Sequence, residues 1–517
     1  MLPPIALLLA LATQVPYAEN NVALLQDPAP QADPPPPRPS PFEGGLEAME
    51  PRGLRLTAPG VTPGYLLVNP LNSKSVHLVD LGANPVHTWK TEYLPGGVCR
   101  LLDNGHLLRM GQEPNNPRFH GGGIGGRLQE LDWDGKVVWE YVLATDRTTL
   151  HHDVDVLPNG NLLCIAWEYR SPDEALAAGR DAHAVNPEGL WPDTVFELKK
   201  NASGGGEIVW QWHAWDHLMQ DRSPQKPNYA AKADLAGRID INADHRFKAK
   251  EESDEERLKR EDEEAKMRAV GYAGGAAPTD APGAPPKPKP KYEADWLHTN
   301  AVDYNAALDL IVLSTPHMGE IWVIDHSTTT AQAATSSGGK RGKGGDLLYR
   351  WGNPRNFGRG TADDHVLHYQ HNPTWIVDGS QGAPRVLLFN NGMHRAGDFS
   401  EVYELELPFT KELGFELPKR GGFGPVGPAW QYSDPPLFFS PFISGAQRLA
   451  NGNTVVCSGA AGRVFELTSD GKVVWDWRNT LGGDEKPSEQ GGKAPPHALF
   501  RAEKYAANSP ALAKLKK

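Results

Sequence analysis

A tryptophan closing a short apolar run recurs six times along the chain. The copies are Pro85-Val-His-Thr-Trp89, Asp134-Gly-Lys-Val-Val-Trp139, Gly206-Glu-Ile-Val-Trp210, Asp346-Leu-Leu-Tyr-Arg-Trp351, Gly427-Pro-Ala-Trp430 and Asp470-Gly-Lys-Val-Val-Trp475. Between the copies lie Asp103-Asn-Gly105, Pro158-Asn-Gly160, Asn390-Asn-Gly392 and Asn451-Gly452. These are tight-turn signals, because Asn and Gly tolerate positive φ. Short apolar stretches such as Leu162-Leu-Cys-Ile165, Ile321-Trp-Val-Ile324 and Val386-Leu-Leu-Phe389 sit beside the turns and read as strands. A unit of roughly 45 residues holding about four strands describes a propeller blade. The spacing therefore predicts an all-β chain folded as a six-bladed β-propeller.

Composition fits that architecture, since 54 Gly, 46 Pro and 15 Trp in 517 residues make a turn-rich, aromatic-rich chain. The net charge of -12 disfavours binding to a phosphate backbone, so nucleic acid is not an expected partner. Residues 1–18 open with the apolar run Met1-Leu-Pro-Pro-Ile-Ala-Leu-Leu-Leu-Ala-Leu-Ala12 and read as a secretory signal peptide. That run is too short to span a membrane, and the expected location is the periplasm or the extracellular space. Residues 19–55 read as a disordered Pro-rich tether, 56–219 as the first group of blades and 220–292 as a charged, low-complexity insertion. Residues 293–505 read as the remaining blades and 506–517 as a disordered tail. Cys99, Cys164 and Cys457 are too widely spaced for a metal cluster and read as small buried hydrophobes.

Three histidines fall at one place in the repeat. They begin His152-Asp-Val-Asp-Val156, His298-Thr-Asn300-Ala-Val302-Asp-Tyr304 and His371-Asn372-Pro-Thr-Trp375, and a fourth copy begins at Ser444. Side chains in one register of a circular repeat point to one centre, so His152, His298 and His371 are expected to build a single site. Asp153, Asp155 and Asp303 lie close enough in sequence to join imidazoles at a metal. The helix-borne His-Glu-x-x-His signature is absent, and no metal is expected there. The glycine run at 338–345 has the wrong spacing for a phosphate-cradling loop, which disfavours nucleotide-dependent transfer.

The string Asp295-Trp-Leu-His298-Thr-Asn300-Ala-Val-Asp-Tyr304, continued by Ile311-Val-Leu-Ser-Thr-Pro-His317-Met-Gly-Glu320, resembles the bacterial arylsulfate sulfotransferases. So do His151-His152-Asp153, Tyr369-Gln370-His371 and Ser444-Gly-Ala-Gln-Arg-Leu449, and the four motifs occur in the family's order from about residue 67 to 477. The resemblance implies a six-bladed enzyme outside the cytoplasm. Such an enzyme moves a sulfuryl group from a phenolic sulfate ester to a phenol through a sulfated histidine, without a nucleotide donor or other cofactor. Matched motif by motif, His371 takes the place of the nucleophile, with His152, His298 and Asn300 as the supporting groups. The chain departs from the family's Ser-Ser-Arg-His stretch, reading Ser314-Thr315-Pro316-His317 instead. Charge stabilisation then falls to His317, Arg395, Arg355 or a protonated histidine.

Imidazole suits such chemistry, being neutral enough near pH 7 to approach an anionic ester and basic enough to attack sulfur. Fixed donors around the equatorial oxygens are expected from His298, His152 and Asn300. A second histidine can protonate the departing phenolate. Tyr304, Tyr369 and Trp375 are candidates for the aromatic wall, with His317, Arg395 and Ser444 as further substrate contacts. Two other readings remain open. The Asp-Gly-Lys-Val-Val-Trp cassettes loosely resemble the docking repeats of quinone-dependent dehydrogenases, although the adjacent cysteines usual there are missing. A catalytically silent propeller that binds a ligand or a protein is the other.

Overall fold

The computed structural model describes residues 47, 49–232, 236–243, 266, 293–377, 383–410, 414–486, 490 and 494–515. The expected signal segment at 1–18 and most of the expected tether and insertion lie outside the described residues. What is described is mostly sheet with a few short helices: three four-stranded sheets, a five-stranded sheet, an eight-stranded sheet and two small ribbons. The eight-stranded sheet consists of two antiparallel four-stranded runs joined at a single parallel pairing, Gly97 with His152. Each run is a meander of hairpins, as the Asn-Gly and Asp-Gly turns predict. The arrangement is propeller-like.

The first strands of the runs are β1 (Pro95–Leu101), β2 (Thr148–Val156), β3 (Ala301–Asn305), β4 (His371–Ile376), β5 (Gly445–Arg448) and β6 (Leu499–Ala506). They contact one another in cyclic order, β6 returning to β1. Strand β6 also pairs with Gly64–Pro70, so the end of the chain completes a sheet begun near its start.

Side chains stitch each of these strands to the next. Arg100 Nε donates to Val154 O at 2.8 Å. Asp153 accepts from Val302 N at 3.3 Å, and Asp155 from Tyr304 N at 3.0 Å. Asp303 accepts from Trp375 N at 2.7 Å, Asn372 from Ala446 N at 3.2 Å and Gln447 from Lys504 N at 2.7 Å. Tyr505 Oη takes Leu101 N at 2.8 Å and closes the circuit. Strands that face a neighbouring sheet cannot extend their ladders across the gap, and these side chains satisfy the backbone groups left over.

The outer strands repeat the device with tryptophan. Trp89 Nε1 donates to Asp132 O, Trp139 to Gly205 O, Trp210 to Thr328 Oγ1, Trp351 to Pro425 O, Trp430 to Ser469 O and Trp475 to Leu81 O. Each acceptor belongs to the unit that follows, and the last bond returns to the first. An indole buries a large apolar area and still needs one acceptor, which explains why tryptophan recurs at this seam.

Three expected boundaries change. Gly53–Thr57 is a strand paired with Val473–Arg478, and Glu47 is buried against Arg463, so the end of the expected tether belongs to a sheet. Leu218–Met219 and Ile239–Asp240 pair in parallel, with Ile239 and Ile241 in the core beside Trp212, so the packed body takes in residues 239–243 beyond the expected boundary at 219. Those isolated isoleucines sit in a polar stretch with no periodicity to reveal them. The expected tail at 506–517 is packed over its described part, where Ala511 and Leu512 are buried with Trp89 and Leu131.

Candidate active site

The backbone around the motif histidines is held in the left-handed region, where residues other than glycine are uncommon. His152 has φ 56°, His298 φ 55° and Ser444 φ 91°. His371 does not share that conformation; its neighbours Tyr369 (φ 57°) and Asn372 (φ 53°) do. The repeat therefore places His371 near the shared position rather than on it. Such strain persists only where the surroundings enforce it, and it gathers at functional sites.

The structure brings the histidines together. The rings of His152 and His298 lie 4.6 Å apart edge to face, and His317 stacks on His298 at 4.8 Å. The ring of Phe500, on β6, is 6.0 Å from that of His152 and 6.5 Å from that of His371. Tyr369 is 6.1 Å from His317. His152, His298 and His371 are all buried.

Each imidazole has its own environment. His371 Nδ1 is 2.9 Å from Tyr369 O and 2.8 Å from Asn391 Oδ1. Both are acceptors, because the amide nitrogen of Asn391 donates to Ser440 O and Ile443 O. The proton of the neutral ring therefore sits on Nδ1 and the lone pair on Nε2. Burial, with the charge of His298 added, pushes the pKa of His371 down to about 3 against the pull of its Asn391 bond, so the ring is neutral over the working range. Burial and the surrounding histidines also hold His152 well below the ordinary value.

His298 is the exception. Burial disfavours its cation, but Asp295, bonded to Nδ1, outweighs burial and raises the pKa above the usual imidazole range. Asp295 is in turn held low, the nearby His298 overcoming the effect of burial. Asp295 thus favours the cation at His298, while burial favours the neutral ring at His152 and His371.

Behind His152 stands His151, whose Nδ1 is 2.8 Å from Nδ1 of His152 and whose Nε2 is 3.2 Å from Asp193. Trp167 stacks on His151 at 4.3 Å and tilts toward His298 at 6.3 Å. Gly123 (φ 73°) closes the other side, where a Cβ would collide with the His152 ring, and Gly123 O accepts from His152 N at 2.8 Å. Sequence reasoning missed Trp167, Phe500, Asp193 and Gly123. The run His120-Gly-Gly-Gly-Ile-Gly-Gly126 was the available signal for the last.

Several of the expected residues are engaged by protein partners. Tyr304 bonds Asp309 at 2.8 Å and packs against His326, away from the cluster. Trp375 is committed to Asp303 through both its backbone and its indole nitrogen. Arg395 pairs with Glu401 and lies over Phe399. Ser444 Oγ bonds Ser440 Oγ at 2.8 Å and takes Gly459 N at 2.9 Å, a hydrogen-bond role within the loops. Asn300 commits its amide nitrogen to Gln370 O at 3.0 Å, and its Oδ1 finds no hydrogen-bond partner among the described residues. Motif position and family resemblance identified these residues, and where a side chain points depends on partners distant in sequence. No group of three or more His, Cys, Asp or Glu residues suited to a metal is present among the described residues. No helix of the described residues is long and apolar enough to cross a membrane.

A propeller-like, all-β fold whose inner strands bring buried imidazoles together defines the class of protein. The family model for arylsulfotransferase (ASST) matches residues 86–480, most of the chain, and the chain belongs to that family. No curated protein matches it. Among solved structures it is similar to a protein of unknown function from Bacteroides caccae at 11% identity, covering 85% of this chain and 98% of that one, with a TM-score of 0.38. It is also similar to the periplasmic gluconolactonase PpgL of Pseudomonas aeruginosa, at 14% identity, 80% and 96% coverage and a TM-score of 0.34.

Proposed function

We propose that this chain transfers a sulfuryl group from a phenolic sulfate ester to a phenol, with Nε2 of His371 as the nucleophile. The observation that carries the reading is the pair of oxygen acceptors on Nδ1, which fix the tautomer that presents a lone pair at Nε2. In the first step the N–S bond forms as the ester S–O bond breaks, and the phenolate departs with the bonding pair. In the second step the acceptor phenol gives up its proton, its oxygen attacks sulfur, and His371 leaves as neutral imidazole.

The family arginine is replaced by Pro316, and the imidazolium of His298 supplies positive charge for the sulfuryl oxygens, sustained by Asp295. His152, held neutral, accepts the phenol proton, and His151 with Asp193 lies behind it to receive the gain in charge.

The same reading takes the fold as a ring of six blades. The tryptophan bonds that pass from each unit to the next and return from Trp475 to Leu81 support that count. It also places the protein outside the cytoplasm, on the strength of the N-terminal apolar run.

Kinetics test the reading. With 4-nitrophenyl sulfate and a phenol varied together, a covalent intermediate gives parallel double-reciprocal lines. Intersecting lines would show that donor and acceptor meet in one complex and would remove the sulfated histidine.

A further inference from the structure

The turn from Ser440 to Ser444, which leads into β5, takes no step in the reaction proposed above, yet two of its residues hold the left-handed conformation: Ile443 at φ 51° and Ser444 at φ 91°. Positive φ in a β-branched residue is an outlier, and it persists only where the surroundings enforce it. Here two buried hydroxyls do so. Ser444 Oγ donates to Ser440 Oγ at 2.8 Å and accepts from Gly459 N at 2.9 Å, while Ser440 Oγ accepts from Ala460 N at 3.0 Å. Ser444 N donates to Phe500 O at 3.0 Å, which ties the turn to β6 as well. Gly459 lies so close that a Cβ there would collide with the Ile443 side chain.

What the strained turn delivers is a pair of carbonyls. Ser440 O and Ile443 O accept from the amide nitrogen of Asn391 at 2.7 and 2.9 Å, and all three residues are buried. Both acceptors sit on the nitrogen, so the amide oxygen is the atom that meets His371 Nδ1, at 2.8 Å. A reversed amide would aim its own N–H at the proton that Tyr369 O, 2.9 Å away, also holds on Nδ1. Ser400 supports the same orientation from outside the turn, its Oγ donating to Asn391 O at 2.8 Å and accepting from Ser440 N at 2.9 Å.

We infer that the Ser440–Ser444 turn is a positioning device for the nucleophile: its hydroxyls hold Ile443 and Ser444 in strained backbone, the two carbonyls so placed orient Asn391, and Asn391 keeps the proton of His371 on Nδ1. The effect on rate rests on the reading of His371 as the nucleophile; the effect on the ring does not. Ser444, the copy of the repeat without an imidazole, is then a positioning residue that acts through Asn391.

Nuclear magnetic resonance of the whole chain with ¹⁵N-labelled histidine tests it in wild type, Ser444→Ala, Ser444→Gly and Ser400→Ala, the His371 signals being assigned by their loss in His371→Ala. Wild type is expected to show a protonated Nδ1 and an unprotonated Nε2. Ser444→Ala keeps the strain and loses a hydroxyl that enforces it. A population with the proton on Nε2 is expected to appear, and kcat for 4-nitrophenyl sulfate to fall about three- to tenfold with KM little changed, as for the loss of one buried hydrogen bond. Glycine adopts φ 91° without strain, so Ser444→Gly is expected to recover most of that loss. Ser400→Ala is expected to act in the same sense as Ser444→Ala and keeps the test decisive should the latter fail to fold. A changed tautomer in a protein without transferase activity would uphold the positioning and remove the proposed reaction instead. An unchanged His371 tautomer in the alanine variants would overturn the inference, and a lowered rate beside that unchanged tautomer would assign the Ser444 hydroxyl to the substrate.

Discussion

The ring of His371 is oriented by Asn391, whose Oδ1 accepts from Nδ1 at 2.8 Å while its amide nitrogen is anchored to Ser440 O and Ile443 O. An uncharged acceptor fixes the tautomer and only partly offsets burial, which with the charge of His298 pushes the pKa of the imidazole down to about 3. Asn391→Asp puts a carboxylate at the same place and raises that pKa. The protonated ring is no nucleophile, so kcat/KM of the variant is expected to fall as pH drops from 7 toward 5. Wild type should stay level over that range in a pH–rate profile on 4-nitrophenyl sulfate.

His298 responds in the opposite sense. Asp295 raises its pKa, so its cation persists below that value and is lost as pH rises through it. Activity that depends on the cation is expected to decline on the alkaline side. Asp295→Asn should move that decline to lower pH and reduce kcat/KM near pH 7 by roughly 10- to 100-fold, about the effect of losing one charged contact in a transition state.

Gly123→Ala tests how tightly His152 is placed. The new Cβ meets the imidazole, and φ of 73° adds strain for any side chain. Displacing a reacting group by about 1 Å is expected to cost roughly 10²-fold in kcat/KM. Far-ultraviolet circular dichroism should stay unchanged; full activity would show that the ring has no fixed role.

Asp303 links pH to stability. Burial, reinforced by Asp155, raises its pKa well above the ordinary carboxylate value. A group raised in this way stabilises the fold fully below its unfolded pKa of about 3.9, and the contribution is lost as pH rises through the folded value. Asp303→Asn keeps an acceptor for Trp375 N and has nothing to ionise. Its urea midpoint relative to wild type is therefore expected to climb as pH rises above about 4. A constant difference across pH would contradict the buried, neutral carboxyl.

Legibility in the sequence followed periodicity. Trp89 through Trp475 occupy equivalent positions in a repeat, and their bonds from unit to unit in the structure explain why that residue recurs. The histidines were legible for the same reason. What escaped had no period. Arg501 is pinned by Asp153 from a strand far away in sequence. Asp193 reaches His151 from another strand of the same sheet. Trp375 is engaged by Asp303, which accepts from both its nitrogens. Ile239 and Ile241 belong to the core but sit in a polar segment without alternation. Side-chain direction in a propeller is set by the neighbouring blade, which a single strand's sequence does not contain.

The most direct test is intact-protein mass spectrometry after brief exposure to 4-nitrophenyl sulfate without an acceptor. Wild type is expected to gain the mass of one sulfuryl group and to lose it when a phenol is added, whereas His371→Ala gains none. An adduct of the same mass on His371→Ala, discharged equally by phenol, would contradict the assignment of His371.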